Sequence, residues 1–141
     1  MRLKNLVIIV TGSGQGIGRV FALRLAEEGA RVVVAEINAA NAHAVADEIT
    51  KQGNQALAVP TDVSIPESAL AMARLTVETY GRIDVLVNNA AIYYGLQMKP
   101  FDQIDPDEWR RLMAVNVDGL FYCARAVIPY MREQGNGRII N

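Results

Sequence analysis

Cysteine, histidine and lysine are scarce in this 141-residue chain, which has one cysteine (Cys123), one histidine (His43) and three lysines. A single cysteine cannot form an internal disulfide, so a reducing compartment is expected. One histidine and one cysteine cannot assemble a His-rich or Cys-rich zinc site, so no metal is expected. His43 lies in a polar helical stretch and reads as a solvated side chain. An excess of one charge is also lacking, because 14 basic residues face 15 acidic ones for a net charge of −1. Nucleic-acid binders carry a basic face, so no nucleic-acid partner is expected. Nor does any apolar run approach the ~18 residues of a membrane span. The N-terminal Met1-Arg2-Leu3-Lys4 followed by Leu6–Val10 looks superficially like a secretion signal. The Gly12-Ser13-Gly14 turn cuts its apolar part short of the usual ~7–15 residues. It reads as a buried strand, with no membrane partner and a cytoplasmic location.

The chain is 51% hydrophobic and 21% charged, a soluble globular composition at the size of one domain spanning residues 1–141. Short β-branched runs (Leu6–Thr11, Arg31–Glu36, Ala56–Pro60, Ile83–Asn88 and Arg138–Asn141) alternate with helical stretches. Most runs lack a polar alternate face, as parallel strands covered on both sides do. The helical stripes are Val20, Phe21 and Leu25; then Ala42, Val45, Ala46 and Ile49; then Leu70, Ala73 and Val77. Ser64-Ile65-Pro66-Glu67 reads as a capping box, and Asp105-Pro106 as an Asp N-cap with Pro at the first helical position. Gly29, Gly53 and Gly81 stand where three helices should stop. Repeated βαβ units with right-handed crossovers predict an α/β fold, a Rossmann-type doubly wound parallel sheet of order 3-2-1-4-5. The chain ends inside the fifth run, so a sequence truncated in the fifth strand is expected.

The pattern Thr11-Gly12-Ser13-Gly14-Gln15-Gly16-Ile17-Gly18 follows the first strand run and opens the first helix. That is the context of a dinucleotide turn. Glycine lets the backbone bend sharply and approach a pyrophosphate with no Cβ in the way. The helix N-terminus then offers free N–H groups and a partial positive charge. Glu36 ends the second run, where a carboxylate accepts both ribose hydroxyl protons of NAD and repels the extra phosphate of NADP. No arginine or lysine follows within ten residues, so NAD(H) is the expected cofactor. The alternative for Glu36 is a solvated residue at a strand end. Asn116 falls in the middle of an apolar stripe formed by Trp109, Leu112, Met113, Leu120, Cys123, Ala124 and Val127. A buried amide costs ~1–3 kcal/mol unless it is hydrogen-bonded, so Asn116 needs a partner or marks a kink.

The usual G-x-G-x-x-G spacing fails here, since its last position would be Ile17. The spacing T-G-x-x-x-G-x-G, through Thr11, Gly12, Gly16 and Gly18, resembles that of the short-chain dehydrogenase/reductase family. The resemblance implies cofactor contacts at Gly12, Ser13, Gln15, Gly16, Ile17 and Gly18, with neutral Gln15 where NADP-preferring relatives often carry a basic residue. Asp62-Val63 looks like the family's adenine-binding pair, the alternative being an Asp that closes a turn. Asn88-Asn89-Ala90-Ala91 resembles the family's N-N-A-G and implies cofactor contact at Asn88 and Ala90, with Ala in place of the final Gly. Asn116-Val117-Asp118-Gly119 resembles N-V-x-G, which implies a catalytic-set role for Asn116 in holding a water of a proton relay. The family also uses a Ser and a Tyr four residues before a Lys. Lys51 and Lys99 follow Asp47 and Gly95 at that spacing and Lys4 has nothing there, so no Tyr-x-x-x-Lys occurs in these residues. The resemblance implies an NAD(H)-dependent oxidoreductase that interconverts a small-molecule secondary alcohol and a ketone. A homo-oligomer is expected. The alternative is a non-catalytic NAD-binding domain or fragment.

Overall fold

Every strand run pairs in parallel, and the order across the sheet is β3-β2-β1-β4-β5, as predicted. The computed structural model describes residues 1–93 and 95–141. Strands β1 (Val7–Thr11), β2 (Arg31–Glu36), β3 (Gln55–Pro60), β4 (Val85–Val87) and β5 (Arg138–Ile140) alternate with helices. These are α1 (Gly16–Glu27), α2 (Ala39–Lys51), α3 (Pro66–Tyr80), α4 (Pro106–Met113) and α5 (Gly119–Gln134). A π-helical turn, Ala114–Asp118, joins α4 to α5. Register is tight at the centre, where Ile9 lies opposite Val33 on one side and Leu86 on the other.

Successive strand residues point to opposite faces, and both faces are apolar because both are covered. Ile8, Val10, Val32 and Val34 pack under α1 and α2. Ile9, Val33, Ala35 and Leu86 pack under α3 and α5. The segment Pro106–Gln134 is long and apolar enough by composition to cross a membrane. Here its second half lies on the sheet, with Cys123, Ala126, Val127 and Met131 in the core.

The α2 stripe is buried as expected, whereas three other stripes differ. Helix α1 buries Gly18, Ala22 and Ala26, and leaves Val20 59% and Phe21 44% exposed. A helix delivered onto β1 by so tight a turn approaches closely, and only small residues fit that contact. Helix α3 buries Ala69, Met72, Ala73 and Thr76 and exposes Leu70. Trp109 is 52% exposed while Cys123 and Val127 are buried, so no continuous stripe joins α4 to α5. The π-turn is the reason: its wider i→i+5 winding resets the angular phase that a 3.6-residue period would carry through.

Asp105 caps α4 as predicted, accepting from the Asp107 and Glu108 N–H groups at 2.7 and 3.4 Å. Gly29, Gly53 and Gly81 follow their helices with positive φ. The Ser64 capping box does not form. Ile65 holds the N-cap position of α3 with no side-chain cap bond, and the Ser64 hydroxyl instead donates to Asp62.

Candidate functional site

A cleft of about 620 Å³ opens at the C-terminal ends of the strands, where the strand order reverses between β1 and β4. Open α/β sheets bind ligands at this switch point. Its floor is the β1–α1 turn, with Gly12, Gln15, Gly16, Ile17 and Gly18. Glu36 and Ile37 form one wall, joined by Thr61, Asp62 and Val63 after β3. The other wall is the segment Asn89–Tyr93 after β4, with Val115 from the π-turn above it. Among the described residues, no three His, Cys, Asp or Glu side chains converge to hold a metal ion.

The turn suits an anion. Gly12 and Gly16 adopt φ +63° and +55°, the left-handed region that favours glycine. A Cβ on Gly16 would meet nothing within 4 Å, so open space lies over the start of α1. Gln15 at the N-cap supplies no side-chain acceptor, and the first turn of α1 has no acidic residue. The helix end therefore keeps its N–H groups and partial positive charge for a ligand. Ser13 lies beneath this surface, its hydroxyl donating to the Val10 carbonyl at 2.7 Å.

Thr11 and Asn89 hold the floor to the wall. The Thr11 hydroxyl donates to the Val87 carbonyl at 3.3 Å and accepts the Asn89 and Ala90 N–H groups, each at 3.0 Å. The Asn89 amide donates to the Thr11 and Gly12 carbonyls at 2.9 and 3.1 Å. A Cβ on Gly12 would stand 2.7 Å from the Ala90 Cα, and one on Gly18 would strike the Gly12 carbonyl and the Asn89 amide. Gly12 and Gly18 are thus required by close approach within the protein itself.

Sequence reasoning named Asn88 and passed over Asn89. The structure turns Asn88 away, with its N–H on the Ile140 carbonyl and its amide donating to Asn141 at 2.9 Å. Successive residues at a strand end face opposite ways, so only one of two adjacent asparagines can reach the turn. That alternation was the available signal. Ala90 lies in the cleft wall.

Glu36 is 6% exposed and folds inward, where its two oxygens accept the Gly14 N–H at 3.0 Å and the Asn38 N–H at 3.1 Å. It is not a solvated strand-end residue. Asp62 accepts the N–H and the hydroxyl of Ser64 on one oxygen, at 2.9 and 2.6 Å, and its own N–H donates to the Ser68 hydroxyl. It closes a turn while facing the cleft beside Val63.

Asn116 sits in the π-turn and is half-buried. Its amide forms a closed pair with one peptide unit, accepting the Ile92 N–H at 2.7 Å and donating to the Ile92 carbonyl at 3.0 Å. This is the partner that the sequence demanded. It fixes the segment after β4 against the helix rather than leaving Asn116 in the cleft wall itself. Cys123, on the buried face of α5, has its thiol pushed up to about 12 by loss of water and takes no part in the cleft.

A family model described as short chain dehydrogenase matches residues 6–141. An uncharacterized oxidoreductase of Mycobacterium tuberculosis is 49% identical over 135 residues, which is 96% of this chain and 54% of that protein. The 7alpha-hydroxysteroid dehydrogenase of Escherichia coli (strain K12) is 39% identical over 140 residues, covering 99% of this chain and 53% of that protein. A solved 7 alpha-hydroxysteroid dehydrogenase, complexed with NADH and 7-oxo glycochenodeoxycholic acid, superposes with a TM-score of 0.90 at 38% identity. That match covers 98% of this chain and 52% of the solved one. The chain spans about half the length of the relatives it matches.

Proposed function

This chain belongs to the short chain dehydrogenase family, and on that premise we propose that it is the cofactor-binding part of an NAD(H)-dependent oxidoreductase that interconverts a secondary alcohol and a ketone. The observation that carries the reading is the pairing, across one cleft, of an open glycine turn with the inward-folded Glu36.

Each part of a dinucleotide finds a counterpart in that cleft. Gly12, Gln15, Gly16, Ile17 and Gly18 take the pyrophosphate at the positive end of α1, with the Ser13 backbone completing the bend. Glu36 takes the adenosine ribose hydroxyls on its remaining lone pairs, because each carboxylate oxygen has accepted only one backbone N–H. Asp62 and the Val63 N–H take the adenine edge. Ala90 lies along the nicotinamide half, and Asn88 supports it from behind. When bound, the nicotinamide supplies or accepts the hydride, and the protein contributes orientation and a proton path. Asn116 is the member of that path present here, a positioning residue that sets the Ile92 peptide at the cleft's upper edge.

The alcohol and ketone assignment is favoured by the solved relative, a 7 alpha-hydroxysteroid dehydrogenase complexed with NADH and a 7-oxo compound. We assign the protein to the cytoplasm as a homo-oligomer acting on a small molecule, with exposed Phe121 and Ile128 on α5 as the apolar face for association.

Fluorescence titration with NADH and NADPH tests the cofactor reading. NADH should bind at least ~10-fold more tightly, a difference of ~1.4 kcal/mol. Equal affinities would overturn it.

A further inference from the structure

Glycine at position 14 has a different reason from glycine at 12 or 16. Its φ is not positive, so no left-handed conformation calls for glycine there. What Gly14 lacks is room. A Cβ on it would stand 2.5 Å from Glu36 Cγ, 2.9 Å from Glu36 Cδ and 2.8 Å from Asn41 Cβ. Asn41 cannot withdraw freely, because its N–H is held at 3.1 Å by the Asn38 side chain that caps α2. The mobile neighbour is therefore the Glu36 side chain, and a methyl at position 14 would drive it out of its place.

In that place the carboxylate is clamped from two sides, by the Gly14 N–H of the phosphate turn and the Asn38 N–H of the β2–α2 turn. A carboxylate on a free side chain can rotate away from an incoming anion. A clamped one cannot, and so it repels a ribose 2′-phosphate at full strength while still accepting from a 2′-hydroxyl. Discrimination of this kind needs a repulsive element that stays in position.

We propose that Gly14 is a specificity-determining residue, whose missing side chain lets Glu36 fold back into a two-point clamp and so sets the preference for a cofactor with a free 2′-hydroxyl. The proposal rests on the assignment of Glu36 to the adenosine ribose and adds the residue that makes it selective.

The test titrates the full chain and its Gly14→Ala, Glu36→Ala and double variants with NADH and NADPH. Circular dichroism and a melting curve check that each is folded. Glu36→Ala should bring the ratio of NADPH to NADH dissociation constants to about one. Gly14→Ala should cut the wild-type ratio at least ~3-fold, and in the Glu36→Ala background it should change the ratio no further. If Gly14→Ala does not fold, Gly14→Ala with Asn41→Gly removes the second obstacle and is measured instead. An unchanged ratio in a folded Gly14→Ala protein, with Glu36→Ala altered as expected, overturns the role of Gly14 alone. An unchanged ratio in Glu36→Ala overturns the ribose assignment and this inference with it. An equal fall on adding Gly14→Ala to Glu36→Ala, or failure of both Gly14 variants to fold, assigns Gly14 to packing and also overturns the inference.

Discussion

Thr11→Val exchanges a hydroxyl for a methyl of nearly the same volume at a site that is 1% exposed. No cavity opens and the strand keeps a β-branched residue, so the change isolates the hydroxyl's hydrogen bonds. Two backbone N–H groups, of Asn89 and Ala90, lose their acceptor, and the Val87 carbonyl loses a long donor contact at 3.3 Å. An unsatisfied buried donor costs ~1–3 kcal/mol, which gives about 2–6 kcal/mol for the pair. Asn89 and Ala90 are only half-buried, and water entering from the cleft can partly replace the acceptor. The expected loss is therefore at the lower end, about 2–3 kcal/mol, a large share of the ~5–15 kcal/mol of a typical domain. Urea unfolding followed by circular dichroism measures it, with Thr11→Ser as the companion. Serine keeps the oxygen and gives up one methyl, so it should cost only about 1 kcal/mol. A valine variant within about 0.5 kcal/mol of wild type, or a serine variant as unstable as the valine one, would refute the assignment of Thr11 as the acceptor that ties β4 to the turn.

Gly16→Val puts a side chain into the open space above α1 at φ +55°, so NADH binding should be lost while far-UV circular dichroism stays largely unchanged. Unchanged NADH affinity in a folded variant would mean the turn is not the anion site. Asn116→Leu removes both bonds to the Ile92 peptide, and the Ile92 amide should exchange with deuterium at least ~10-fold faster, the equivalent of ~1.4 kcal/mol; retained protection would place the anchor of that segment elsewhere. The Cys123 thiol, raised from 9.0 to about 12 by burial, keeps its proton in the folded state after the unfolded chain has lost it. Its contribution to stability is therefore complete below pH 9 and lost as pH rises from there toward 12, so the stability of the chain relative to Cys123→Ala should fall across that window, and a flat difference would contradict the burial.

The strands were legible because β1 and β2 are buried on both faces, so composition alone marks them. Glycine after a helix and Asp105 before one are signals set by local backbone chemistry, and both appeared where expected. Side-chain size misled at α1. Val20 and Phe21 look like a core stripe, yet the spacing that matters is Gly18-Ala22-Ala26, because close approach to β1 selects small residues over apolar ones. Ser64 fails as a cap because a neighbouring carboxylate, Asp62, accepts its hydroxyl. Glu36 was legible as a residue facing the cleft, whereas its backbone partners depend on Gly14 lying close in space across 22 positions of sequence. The demand for a partner at Asn116 followed from its apolar surroundings, but Ile92 lies 24 residues away and no local pattern names it.

The π-turn makes residue count, as well as residue type, a constraint on this chain. Deleting one residue between Met113 and Gly119 would let α4 and α5 merge into one regular helix, a locally favourable outcome. Five residues of the wider π winding turn the chain about as far as four α-helical residues, ~400°, so the merged helix would keep α4 and α5 nearly in phase and lose only the widened turn. That turn is what carries Asn116 to the Ile92 peptide while α5 keeps Cys123 and Val127 in the core. Loops elsewhere in such a fold absorb length changes at little cost. Between Met113 and Gly119 a gap of one residue closes the widened turn from which Asn116 anchors the cleft's upper edge.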